Sequence, residues 1–336
     1  MKRSLRWIIT AFALATMTLP TASSVAAEAE AALLLERTIP LEHVSGRIDH
    51  MAIDIGRKRL FIAELGNNSV DVIDLSEGRP IHRFSGLREP QGIGYAAAAN
   101  LVVVANAGDG TVRMFQGESF APLGLIALGD DADNVRLDPG TGAVFVGYGS
   151  GGLAIIDPKS RTKIADISLP AHPEAFQIDP DAGRAFVNVP DAGQIAVVDL
   201  EKRRQLASWR VPGLSANFPM ALDSARSVLA TVFRRPSRLV LLDARTGGIT
   251  GKLPVCADAD DVFFDAKRER IYVSCGSGEI AVFQRDGGTY RPLTSVATAS
   301  GARTSLFVPQ LDRLFVAERA GLLGSSAAVG VYRPVP

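Results

Sequence analysis

One short apolar segment recurs seven times along the chain, and this repetition restricts the fold more tightly than any other feature. The copies are Leu60-Phe61-Ile62-Ala63, Leu101-Val102-Val103-Val104, Val144-Phe145-Val146, Ala185-Phe186-Val187, Leu229-Ala230-Thr231-Val232, Ile271-Tyr272-Val273 and Leu314-Phe315-Val316-Ala317. Their starts lie 41, 43, 41, 44, 42 and 43 residues apart. A period of this length belongs to propeller blades or to helical arrays. Helical arrays need longer segments with apolar residues at a spacing of about 3.6, and no such segment follows the first 27 residues.

The flanks of each copy repeat as well. Six residues ahead stands Asp54, Asp138, Asp179, Asp223 or Asp265, while the second and seventh copies carry Tyr95 and Val308 there. After the segment comes a Gly- or Asn-rich turn and a second apolar run ending in Asp, such as Val70-Asp71-Val72-Ile73-Asp74 or Ile195-Ala196-Val197-Val198-Asp199. Runs of β-branched and aromatic residues bounded by Gly, Asp, Asn and Pro are strands. Four short strands per unit predict an all-β, seven-bladed β-propeller with four-stranded antiparallel blades. The last repeat stops one strand short, and residues 33–40 match the missing outer strand. The N-terminal strand is therefore expected to complete the last blade and close the ring, which removes an open sheet edge.

With 47% hydrophobic and 21% charged residues the chain can bury a substantial core. Lys plus Arg and Asp plus Glu both total 36, so no global charge draws it to nucleic acid or anionic membrane. Lys2, Arg3 and Arg6 precede an apolar run over residues 7–19, and Val25-Ala26-Ala27 follows with small residues. This is the pattern of an exported leader cleaved after Ala27; the run is shorter than the roughly 20 residues a membrane helix needs. The expected organisation is a leader over 1–27, a short linker over 28–32 and one propeller domain over 33–336. The mature chain is expected to be a periplasmic or secreted monomer without a membrane span. Cys256 and Cys275 form no metal or haem motif; they stand close enough in the repeat to bridge, and the sequence leaves both the bridged and the free state open.

The unit LFIAELGNNSVDVIDLSEGRPIHRFSG, with its echo AFVNVPDAGQIAVVDLEKRRQLASWRVPG, resembles the repeat of bacterial YVTN/YncE-like propellers: aromatic-Val-x-Asn, a turn, Val-x-Val-Ile-Asp, then a strand and Pro-x-Gly. The resemblance covers about residues 33–336 and implies the propeller scaffold. It implies no single role, because scaffold and function are separable. Asn188 keeps the family Asn, whereas other repeats carry Glu64, Tyr148 or Phe233 nearby.

In such a ring the start of each innermost strand and the end of the second strand surround one channel mouth. The start positions are Asp49-His50, Pro90-Gln91, Asp133-Asn134, Glu174-Ala175, Phe218-Pro219, Asp260-Asp261 and Arg303-Thr304; the second-strand ends include Glu64, Tyr148, Cys275 and Glu318. This set varies from repeat to repeat, while the opposite face repeats its Asp turns, and variation marks a site. His50, Gln91, Asn134, Glu174, Asp261, Arg303 and Tyr148 are candidate ligand-binding residues. Glu64, Asp133, Asn134, Asp260 and Glu318 offer hard oxygen ligands suited to Ca²⁺ or Mg²⁺. His50, beside Asp49, is a candidate general base, with Arg303 to steady an anion.

The leading expectation is a binding or assembly module for a protein partner, an envelope component or a small polar ligand. The alternative is a metal-assisted lyase or lactonase, because sugar-lactonase and streptogramin-lyase propellers are similar in architecture, although no residue motif carries over. Single-stranded nucleic acid is a third reading, resting on the family resemblance and on Arg234, Arg235 and Arg238. His43, His82 and His172 have no companions at metal spacing and read as loop or surface residues. Asn67-Asn68-Ser69 reads as turn chemistry.

Overall fold

Side chains alternate between the two faces of a strand, and the computed structural model shows where each face goes. In the strand Arg59–Glu64, Leu60 and Ile62 join one apolar cluster with Phe315 and Val329, while Phe61 and Ala63 join another with Val102 and Val104. Both faces are covered, so the segment reads as a continuous apolar run. The same sharing recurs around the molecule in seven clusters, each joining two neighbouring blades and one joining the last blade to the first. The core is a ring of seven layers between blades.

The structure describes residues 31–321 and 326–336, so the expected leader and most of the linker lie outside the described residues. Residues Ala31–Pro336 form one compact unit. Among the described residues, twenty-eight strands make seven four-stranded sheets and the only helices are three single 3-10 turns. This is a seven-bladed β-propeller. No helix among the described residues is long and apolar enough to cross a membrane. Blade one runs from the centre outward as Met51–Asp54, Arg59–Glu64, Ser69–Asp74 and Arg79–Phe84. The outermost strand of every blade carries one pairing irregularity, which blunts an otherwise open edge.

The N-terminal strand Leu33–Leu41 pairs with Ala327–Pro334, from Leu33 opposite Pro334 to Leu41 opposite Ala327, and supplies the outer strand of the last blade. Leu33, Ile39 and Leu41 are buried in the two clusters that flank that blade. Glu36 adds ion pairs to Arg313 and Arg333 at 2.5 and 2.9 Å.

The recurring Asp residues serve the turns. Carboxylates of Asp54, Asp138, Asp179, Asp223 and Asp265 accept backbone N–H groups two or three residues on, at 2.9–3.4 Å. Tyr95, in the corresponding place, instead bonds the Asn100 side chain at 2.9 Å and receives Arg57 from the neighbouring blade at 3.0 Å. Asn68 is the left-handed cap of a 3-10 turn, at φ 56°, as turn chemistry requires. Cys256 and Cys275 are joined in a disulfide with Cα atoms 5.9 Å apart, which decides between the two states the sequence left open.

Candidate functional site at the channel mouth

The seven innermost strands all start on one face, and their first side chains converge. Asp49 and His50 of blade one, Gln91 of blade two, Asp133 and Asn134 of blade three, Glu174 of blade four, Phe218 of blade five, Asp260 of blade six and Arg303 of blade seven line a cavity of about 220 Å³. Beneath it, a space of about 450 Å³ is lined by the inner strands, including Arg136, Gln177 and Asp261, and His50 lines both spaces.

Backbone irregularity aims these residues. Pairing of the innermost strand slips between Pro90 and Ile93, Ala132 and Val135, Asn217 and Met220, and Ala259 and Asp261. A bulge at a strand start bends it and re-aims its side chains. Gly92 is required by close approach: a Cβ there would fall 1.8 Å from the Asp133 carbonyl oxygen. Asn188, fully buried, donates to the Phe218 and Pro219 carbonyls at 2.9 and 3.2 Å and accepts from Asn217 at 2.7 Å, which braces the loop carrying Phe218.

Charge is dense here and mostly matched. Arg47 meets Asp49 at 2.6 Å. Arg303 meets Asp258 at 2.7 Å and Asp260 at 2.9 Å. Arg234 pairs with Asp260, donates to the Ala259 carbonyl at 2.8 Å, and lies over the Phe218 ring with its guanidinium carbon 4.0 Å from the centroid. His172 contacts the Gly149 carbonyl through Nδ1 at 2.7 Å, with Asp131 at 3.6 Å and Asp133 at 3.9 Å.

These surroundings divide the two histidines. Burial lowers the His50 imidazole, and Arg136 and Arg47 reinforce that against Asp133 and Asp260, so it is neutral near pH 7. Burial also works to lower His172, but the facing Asp133 carboxylate, the Gly149 carbonyl and the Asp131 charge outweigh it and push it up to about 9, so it is a cation. Glu174 is raised to about 7 by burial and by the Asp133 charge. Burial holds Asp49 well above the usual carboxylate range against its pairing with Arg47. Asp261 is likewise held high by burial and the Asp260 charge; its Oδ2 accepts the Ser305 N–H at 2.7 Å.

The second-strand ends lie elsewhere. Glu64 is buried within blade one, taking the Ser69 hydroxyl. Tyr148 gives its hydroxyl to Asp166 at 3.0 Å on the outer side of blade three. Glu318 lies beside Gly330 and Tyr332 of its own blade, and Cys275 is in the disulfide. The five oxygen ligands expected for Ca²⁺ or Mg²⁺ therefore do not converge, and among the described residues no three His, Cys, Asp or Glu side chains are disposed to hold a metal. His50 stands 3.9 Å from Asp133 and 4.0 Å from Asp49, and Arg303 is engaged by two aspartates. Arg234 turns into the mouth, away from Arg235 and Arg238. His172, Asp131 and Arg47 line the mouth, and Asp258 holds Arg234 and Arg303 at its rim, although sequence reasoning left them out. Each stands two residues before a start position, so extending the repeat alignment by one strand period would have found them.

A separate cleft of about 640 Å³ lies among the turns of blades two to four, lined by Ala96, Ala97, Phe145, Ile155 and Leu200 among others. None of its lining side chains has a buried polar atom without a partner.

No protein-family model matches this chain, and no curated protein does. Among solved structures it is similar to a chain of Kuenenia stuttgartiensis hydrazine synthase, at 15% identity and a TM-score of 0.74, over 85% of this chain and 97% of that one. It is also similar to a chain in the crystal structure of a mitotic checkpoint complex, at 12% identity and a TM-score of 0.77, over 99% of this chain and all of that one. At such identities the likeness shows the fold alone: a seven-bladed propeller, a scaffold that commonly serves as a binding or assembly module.

Proposed function

We propose that this protein is an exported propeller of the YVTN/YncE-like kind whose channel mouth binds a small polar ligand. The observation that carries the reading is the convergence of different polar side chains from the seven blades on a recessed cavity in which Asp133 Oδ1 and Asn134 Oδ1 are buried without a hydrogen-bond partner. Buried polar atoms are nearly always paired, and a concave site with convergent polar groups and perturbed carboxyls is the default ligand site. A cavity of about 220 Å³ suits a small molecule better than a protein surface. The leader pattern and the Cys256–Cys275 disulfide both suit an oxidising compartment.

The test is a thermal-shift screen of small anionic, neutral and cationic compounds on the mature chain and on Gln91→Trp, which fills the mouth. Saturable binding by any class that disappears in the variant supports the reading. Absence of binding by all three classes, or binding that survives Gln91→Trp, sinks it.

A second reading rests on His50 alone, which is neutral and hence able to accept a proton. A lyase or lactonase acting here would lose turnover of a lactone substrate in His50→Gln while retaining binding.

A further inference from the structure

The polar atoms of the mouth do not balance, and the imbalance has one sign. Arg47 is matched by Asp49, and Arg234 and Arg303 are matched by Asp258 and Asp260. The one remaining cation, His172, faces two carboxylates, Asp131 and Asp133. The buried side-chain atoms of the mouth that lack a hydrogen-bond partner are all acceptors. Glu174 makes no side-chain hydrogen bond or ion pair, and its neighbours act on it only through their charge. Asp133 is 7% exposed and Asn134 2% exposed, and the Oδ1 atom of each has no donor. A buried acceptor left unmatched is costly, so a partner that supplies donors relieves it.

Resting on the binding reading above, we propose that the ligand is a small aliphatic ammonium, a primary amine or diamine whose N–H groups go to Glu174, Asp133 and Asn134. An ammonium carries three donors and no acceptor, which complements three acceptors that lack donors. It also tolerates their separation. A divalent ion needs oxygens converging at 2.0–2.6 Å or so, and the described side chains form no such group. An anionic ligand would meet carboxylates whose arginine counter-charges are already engaged. At about 220 Å³ the cavity has the volume of about seven waters, enough for a short alkyl chain and its amino group.

Isothermal titration of the mature chain with 1,4-diaminobutane, 1,4-butanediol, succinate and calcium chloride tests this, since the first three share a four-carbon frame and differ in charge. The diamine is expected to bind, the diol and succinate to bind at least tenfold more weakly, and Glu174→Gln to weaken the diamine tenfold or more. Asn134→Asp, which adds a carboxylate to the same site, is expected to tighten it, so the proposal does not depend on one variant. If succinate or the diol binds at the mouth as well as the diamine does, the mouth remains a ligand site and its cation preference is refuted. Calcium binding lost in Glu174→Gln would refute it in favour of a metal. Diamine affinity unchanged in Glu174→Gln, or no diamine binding at all, also overturns it, and in the latter case the wider screen above decides separately whether the mouth binds anything.

Discussion

Replacing Glu64 by Gln should stabilise the protein at neutral and alkaline pH and leave it almost unchanged in acid. Glu64 is fully buried in blade one; its Oε2 takes the Ser69 hydroxyl, and its Oε1 has no partner. Burial first, and then the charge of Asp71, raise its carboxyl from an ordinary 4.5 to about 8. Arg83 lowers it only in part, because it is held by Asp71 at 2.6 Å and stands 4.0 Å from Glu64. The folded chain therefore holds this proton more tightly than the unfolded chain. Stability is unaffected by the group below about pH 4.5, falls by about 1.4 kcal/mol per pH unit up to about pH 8, and is level above that. The penalty reaches about 3 kcal/mol at pH 7 and about 5 kcal/mol beyond pH 8 as an upper bound. Gln keeps the size, never ionises and can donate to Asp71. With about 2 cal/mol/K of unfolding entropy per residue, a propeller of ~300 residues gains about 5 °C in midpoint at pH 7. Thermal melts of both proteins from pH 5 to pH 9 measure the difference. A gap that stays constant across that range, or widens toward acid, refutes the argument.

Three further outcomes follow from the ring. Deleting residues 31–41 removes the buried Ala32 and three large buried side chains, Leu33, Ile39 and Leu41, worth about 1.5–3 kcal/mol each, comparable with a whole domain's stability of about 5–15 kcal/mol, so cooperative melting should disappear; the milder Ile39→Ala should cost about 2–5 kcal/mol in urea unfolding. Reducing the Cys256–Cys275 disulfide, which spans 19 residues, should lower stability by about 3 kcal/mol through loop entropy, read as a shift in the denaturation midpoint with dithiothreitol that Cys256→Ser does not show. Gly92→Ala should push the inner strands of blades two and three apart and abolish ligand binding at the mouth while most of the β circular dichroism survives; unchanged binding would show that the close approach is not needed.

The ring was legible because its signals are local. Leu60-Phe61-Ile62-Ala63 alternates between two inter-blade clusters, the Asp54-type turns recur, and the last repeat lacks the strand that Leu33–Leu41 supplies. The start positions were legible for the same reason, since alignment of the repeats fixes which residue begins each innermost strand. The second-strand ends misled because direction along a strand does not say which way its last side chain turns: Glu64 and Tyr148 are drawn to Ser69 and Asp166 within their own blades. His172 was passed over because it stands two residues ahead of its start position, outside the aligned pair, and its partners, Asp131 and Asp133, come from the preceding blade. Arg234 looked like part of a basic loop because its partners, Asp258 and Asp260, belong to the next blade.

The most direct test of the account is a crystal of the mature protein soaked with 1,4-diaminobutane, in a form that leaves the channel mouth open to solvent. An ammonium nitrogen is expected within about 2.7–3.2 Å of Glu174 and of Asp133 Oδ1. A mouth that holds only water at saturating diamine, or the diamine bound elsewhere on the propeller, would contradict it.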